Sequence, residues 1–180
     1  MSPNTPYNSL LVFHGTGVGK TCTSISIAEQ YIDDLQKQGK KVFIILNQSI
    51  KENFIKNIFN IQKSEMPYYQ CTGESYLKHL PNYKNMSVEE IQKKILKLVK
   101  SRYEFFGYQK FANMITQLQN TINERFSEDI AESVFEKKIK EMFSNNVMII
   151  DEAHNIKEGE SMKVLPPILE KVIKIADNMK

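Results

Sequence analysis

Short uninterrupted apolar runs alternate with longer amphipathic stretches along the chain. Ser9 to His14 (SLLVFH), Lys41 to Asn47 (KVFIILN) and Asn146 to Glu152 (NVMIIDE) are runs of this kind. Runs of that length, with no polar residue on alternate positions, are expected of strands covered on both faces. Between the first two lies KTCTSISIAEQYIDDLQKQ, whose Ile25, Ala28 and Ile32 recur at helical spacing, with Gly39 as the stop. A strand, helix, strand order implies a right-handed crossover and a parallel sheet, so the predicted class is α/β.

The middle of the chain reads as mostly helical. Met86 to Ser101 opens on a Ser87 cap with Glu89 and Glu90 in the first turn, and places Ile91, Ile95, Leu96 and Val99 on one face. Its lysines read as a solvated face. Tyr103 to Phe111 (YEFFGYQKF) predicts a strand running into a turn at Gly107, its aromatics serving the core, and Ser127 to Phe143 predicts another amphipathic helix. No repeat, low-complexity tract or Gly/Ser linker interrupts this order.

Composition narrows the classes further. With 180 residues, 41% of them hydrophobic, the chain can bury one good core, as one domain or part of a larger one. A net charge of +3 permits nucleic-acid binding without indicating it. No stretch approaches the roughly 18 apolar residues of a membrane span, and the start lacks a cationic leader, so no membrane partner and an intracellular location are expected. Cys22 and Cys71 allow at most one bridge and have no metal-ligand spacing; a reduced pair and no structural zinc are the expectation.

The densest chemistry lies at FHGTGVGKT. Of seven glycines in the chain, Gly15, Gly17 and Gly19 fall within five positions here. A glycine-rich loop between strand and helix, ending in Gly-Lys-Thr, lets backbone N–H groups surround an anion at the positive end of the helix. A polyphosphate fits: Gly15, Thr16, Gly17, Val18, Gly19, Lys20 and Thr21 would bind a nucleotide, Lys20 reaching the β and γ phosphates and the Thr21 hydroxyl taking one position on Mg²⁺. His14 stands where the general pattern has glycine, a variant at the strand end. A surface turn matching by accident is the bland alternative, expected in roughly one chain in a hundred or fewer.

The second constellation is IIDEAHN, Ile149 to Asn155. A phosphate loop needs a carboxylate on a neighbouring strand to hold Mg²⁺ and a second group to take a proton from the attacking water. Asp151 and Glu152 supply those roles in order, so Lys20, Asp151 and Glu152 form the candidate catalytic set and Thr21 with Asp151 the metal set. Alone, an Asp-Glu pair more often caps a helix. His154 follows as a candidate coupling residue that could sense the γ-phosphate or a moving neighbour; a lone histidine is more often structural.

GTGVGKT followed by DEAH resembles motifs I and II of superfamily 2 helicases. LLVFHGTGVGKTCTSISIAEQY, YEFFGYQKF and VMIIDEAHNI are similar to the early transcription factor and nucleoside triphosphatase I group of poxviruses and their giant-virus relatives. The resemblance implies a RecA-like P-loop NTPase domain, three-layer α/β/α with a mostly parallel sheet and a helix-rich insertion over roughly residues 80–142, using ATP and Mg²⁺. It implies an ATP-dependent motor on nucleic acid, DNA rather than RNA, serving a viral RNA polymerase or transcription factors in the virion or host cytoplasm. By the same resemblance Ser49, Lys51 and Asn53 would contact the nucleic-acid backbone; a helix cap with solvated neighbours is the alternative. The family's second RecA-like domain, its arginine finger and its adenine-reading element are expected outside these residues, so the isolated chain should hydrolyse ATP poorly, by about 10³- to 10⁵-fold. A P-loop ATPase that remodels protein partners is the other enzyme class. A noncatalytic module is disfavoured because Lys20, Thr21, Asp151 and Glu152 are all present.

Overall fold

The structure, a computed structural model, describes residues 5–13, 19–63, 70–156 and 164–180. It is α/β. Strands β1 (Val42–Leu46), β2 (Tyr103–Gly107) and β3 (Met148–Ile150) form one sheet in the order β2-β1-β3. The helices are α1 (Lys20–Glu29), α2 (Ile32–Lys37), α3 (Lys51–Ile58), α4 (Val88–Arg102), α5 (Tyr108–Asn123), α6 (Glu128–Phe143) and α7 (Leu165–Ile175). The parallel pairing expected from the strand-helix-strand order is present between β1 and β3, with Phe43, Ile44 and Ile45 opposite Met148, Ile149 and Ile150.

Two compact units divide the chain: Met1–Val42 with Ser49–Glu104, and Phe43–Gln48 with Phe105–Lys180. In the second unit, Phe43, Ile45, Phe106, Met148 and Ile150 pack against the buried faces of α5, α6 and α7. Phe143 lies at the centre, its ring 5.2 Å from that of Phe43 and 5.9 Å from that of Phe111. Ile44 and Leu46, on the other face of β1, are fully buried as well, as a continuous apolar run requires. β3 is only half-buried throughout.

In the first unit α1 buries Ile25 and Ala28 and packs beside α3, which buries Phe54 and Ile58. The predicted long helix after Lys20 divides at Gln30 and Tyr31: the Tyr31 N–H closes α1 on Ala28, and its carbonyl opens α2 at Leu35. Gly39, at φ +68°, ends α2, with the Lys40 N–H bonded back to the Leu35 carbonyl. Ser87 caps α4 through a full capping box, its hydroxyl accepting from the Glu90 N–H while the Glu90 carboxylate accepts from the Ser87 N–H. Ile91, Ile95 and Val99 of α4 are buried; Leu96, expected with them, is exposed, because it falls at the edge of the apolar stripe. Lys93, Lys94, Lys97 and Lys100 form the solvated face.

Two further expectations fail. The run Ser9 to His14 makes no strand over its described residues 9–13, and Leu10, Leu11 and Phe13 are exposed. A strand needs a ladder, and none forms over these residues. Within the second unit β3 is flanked by Lys180, whose carbonyl accepts from Met148 and whose N–H donates to Asn146. Cys22 and Cys71 are not a reduced pair: they are joined in a disulfide, their Cα atoms 4.9 Å apart, within reach of a bridge once α1 and the turn at Cys71 are packed together.

A buried polar network ties the first unit. The Glu29 carboxylate accepts from the hydroxyls of Tyr76 (2.8 Å) and Tyr103 (2.5 Å) and lies 3.5 Å from the Arg102 guanidinium. Burial pushes both phenols well above their ordinary range, with the Glu29 charge adding to it. A raised folded value means that the stability these groups lend is fully present below the ordinary phenol pKa near 10 and is lost as the pH rises beyond it. The unfolding free energy from urea titration should therefore hold steady up to about pH 10 and then fall, by up to about 1.4 kcal/mol per pH unit per phenol. Phenolate absorbance followed alongside checks this; all tyrosines ionising together with no loss of structure would contradict it.

Candidate functional site

The predicted site residues fall into sets, each described within its own unit. Gly19 stands at φ +86° just before α1, a backbone conformation that favours glycine, and among the described residues nothing lies within 4 Å of where its Cβ would be. The helix ladder begins with the Thr23 N–H bonded to the Gly19 carbonyl at 2.9 Å, so the N–H groups of the preceding residues stand at the helix end, outside that ladder. Thr23 and Ser24 turn their hydroxyls back onto the carbonyls of Gly19 and Lys20. Lys20 and Thr21, half-buried, are the first two helical residues. A helix N-terminus carrying a lysine and a hydroxyl is suited to an anion. His14, Gly15, Thr16, Gly17 and Val18 lie outside the described residues.

Asp151 and Glu152 follow β3 directly. The Asp151 N–H donates to the Ile45 carbonyl at 2.9 Å, which carries the β1–β3 ladder one residue beyond the strand. Both residues are half-buried, and Glu152 adopts φ +51° where the chain leaves the sheet for the short turn Ala153–Ile156. Two carboxylates at the carboxyl end of a parallel strand occupy the position where open α/β sheets carry ligands. The side chain of His154 lies outside the described residues.

One residue that the sequence reading assigned to the core also reaches this turn. Tyr108, the first residue of α5 and buried, donates its hydroxyl to the Asp151 carbonyl at 2.5 Å and lies 3.4 Å from that of Glu152. Burial, and then the charges of Asp151 and Glu152, push its phenol up to about 12, so it stays protonated and a donor at neutral pH. The available signal was the phenol itself, since a buried tyrosine hydroxyl needs a partner.

Ser49 is exposed in the turn Gln48–Ile50, Lys51 is half-buried at the start of α3, and Asn53 is exposed one turn in. The residue at the cap position of α3 is Ile50, which makes no side-chain cap bond, and Ser49 directly precedes it.

Among the described residues no three His, Cys, Asp or Glu side chains converge as a metal site, and no helix is long and apolar enough to cross a membrane. Mg²⁺ needs no such cluster: one or two protein oxygens, with water and substrate phosphate completing the shell, are its usual donors, and one hydroxyl and one carboxylate fit that pattern.

The family model of the type III restriction enzyme res subunit matches residues 4–179. A protein of Acanthamoeba polyphaga mimivirus named as a candidate ATP-dependent RNA helicase, L377, is 32% identical over the whole of this chain and 16% of its own length. A second mimivirus protein with the same description, R563, is 30% identical over the whole chain and 26% of its own length. A candidate helicase of Invertebrate iridescent virus 3, 087L, is 29% identical over 87% of this chain and 14% of its own. The chain thus spans about a quarter or less of these relatives. No solved structure matches. The resemblance to helicases of large DNA viruses drawn from motifs I and II agrees with these findings.

Proposed function

Because this chain belongs to the family of the type III restriction enzyme res subunit, we propose that it is the ATP-binding, first RecA-like domain of a nucleic-acid motor that hydrolyses ATP. The observation that carries the reading is the carboxylate pair Asp151–Glu152 at the carboxyl end of a strand parallel to β1, in a chain whose first helix opens on Gly19, Lys20 and Thr21. In this reading Gly15 to Thr21 hold the triphosphate, with the Lys20 ammonium neutralising the β and γ phosphates. Thr21 and Asp151 hold Mg²⁺, which supplies charge neutralisation at the phosphoryl group when bound. Glu152 takes the proton of the attacking water, and His154 relays the state of the site to a neighbouring domain. Roughly residues 80–142, which hold α4, β2, α5 and most of α6, form the helix-rich insertion within that domain. The second RecA-like domain would lie in further sequence of the whole protein.

Ser49, Lys51 and Asn53 are the residues proposed to touch the polymer backbone. The motif resemblance favours DNA and a role in viral transcription, whereas the two mimivirus relatives carry RNA in their names.

Steady-state ATP hydrolysis by the full-length protein tests this, with no polymer, single-stranded DNA, duplex DNA or RNA at one fixed salt concentration, since such binding is salt-dependent. Stimulation by DNA above the other arms is expected, and Lys20→Ala should lower turnover by about 10²- to 10³-fold. Greater stimulation by RNA would reassign the polymer. Equal rates in every arm would point to an ATPase that remodels protein partners.

A further inference from the structure

We propose that Tyr108 is a positioning residue for hydrolysis: its hydroxyl holds the backbone of the Asp151–Glu152 turn, so that both carboxylates keep one arrangement through the reaction. The inference rests on the ATPase reading above and names a part that neither motif contains.

The β1–β3 ladder ends at the bond from Asp151 to Ile45, so beyond it the chain has left the sheet's regular support. At that point Glu152 adopts φ +51°, a conformation that non-glycine residues hold only where surrounding contacts impose it. Such a contact comes from α5. Tyr108 places its hydroxyl against the carbonyls of Asp151 and Glu152 together, the two peptide groups whose rotation would swing the two side chains. Its ring is fixed in turn, lying in the same buried cluster as Phe106, Phe111 and Phe143. The clamp is thus anchored in the core and ends on the turn. The ring alone would satisfy the packing; the hydroxyl adds only the bond to this turn.

Reactive geometry is sensitive to small errors, a misplacement of about 1 Å costing about 10²-fold in rate. Freeing this turn should displace it by less than that. In the full-length protein, Tyr108→Phe, which removes one oxygen and keeps the ring, is expected to lower kcat by about 10-fold. KM for ATP should stay within about twofold, because the phosphate loop is untouched, while the Mg²⁺ concentration for half-maximal rate rises several-fold as Asp151 loses its fixed position. Phe111→Leu is the packing control: it should lower the melting temperature while keeping kcat and Mg²⁺ dependence. Wild-type kcat and Mg²⁺ dependence in Tyr108→Phe would overturn the proposal, as would an equal loss of kcat in Phe111→Leu, which would make the effect one of general loosening. Glu152→Gln in the same protein separates the two levels. If that variant turns over as fast as wild type, the base role of Glu152 and the positioning role fall together, whereas absence of ATP hydrolysis in the wild-type protein would remove the ATPase reading itself; if Glu152→Gln is inactive while Tyr108→Phe is normal, only the positioning role falls.

Discussion

A Glu152→Gln protein is expected to bind ATP normally and to lose about 10²- to 10⁴-fold of its hydrolysis rate, the range that a positioned general base contributes. The substitution keeps the size of the side chain and its capacity to accept a hydrogen bond at one oxygen, and removes the charge and basicity as the other oxygen gives way to an NH2 donor. The backbone supports a clean reading. Glu152 sits in the left-handed region, and glutamine meets the same conformational cost there, so the turn after β3 should be unchanged. Being half-buried at a strand end rather than in the core, the residue contributes little packing. Single-turnover hydrolysis, with binding of a non-hydrolysable analogue measured separately, distinguishes loss of chemistry from loss of affinity. Retention of more than about a tenth of the wild-type rate would remove Glu152 from the base role, given that range. Asp151→Asn should differ in kind, raising the Mg²⁺ concentration needed for half-maximal rate before it weakens nucleotide binding, because one carboxylate oxygen is a large share of a sparse magnesium shell.

The largest stability effect is expected far from those carboxylates in sequence, from Arg102→Ala at the end of α4. Arg102 is 5% exposed. Its guanidinium lies 3.5 Å from the Glu29 carboxylate, 2.7 Å from the His79 ring Nε2 and 4.8 Å from the centre of the Tyr76 ring. Removing one partner of a buried ion pair costs about 3 to 5 kcal/mol because the other charge is left uncompensated. The lower end of that range applies: the Glu29 side chain is 21% exposed, and it keeps the hydroxyls of Tyr76 and Tyr103 as donors. Urea unfolding at neutral pH, with the slope unchanged, would give the figure from the midpoint. A loss below about 1 kcal/mol would mean that the pair behaves as an exposed one and that the phenols hold Glu29 by themselves. Arg102→Lys should recover only part of the loss, since a lysine ammonium has neither the planar fork to reach Glu29 and His79 together nor the flat face over Tyr76.

What the sequence alone determined are the features set by neighbours within a turn or two. Apolar period and glycine punctuation placed β1, β2, α4 and α6 and the stop at Gly39, because spacing decides which side chains share a face and only glycine takes φ +68° there at no cost. The Ser87 cap was legible for the same reason, its partner being three residues away. The residue types of the candidate chemistry, Gly19, Lys20 and Thr21 and the pair Asp151 and Glu152, were equally local. Tertiary structure decided what depends on partners remote in the chain. Leu10 to Phe13 has the composition of a strand, yet strand formation needs a ladder, and none forms over its described residues. Cys22 met Cys71 across 49 residues, Glu29 met Tyr76 across 47 and Tyr103 across 74, and Tyr108 met Asp151 across 43. Period and propensity carry no information over such separations. A buried phenol or carboxylate announces that it needs a partner, and only the packed chain says which one it finds.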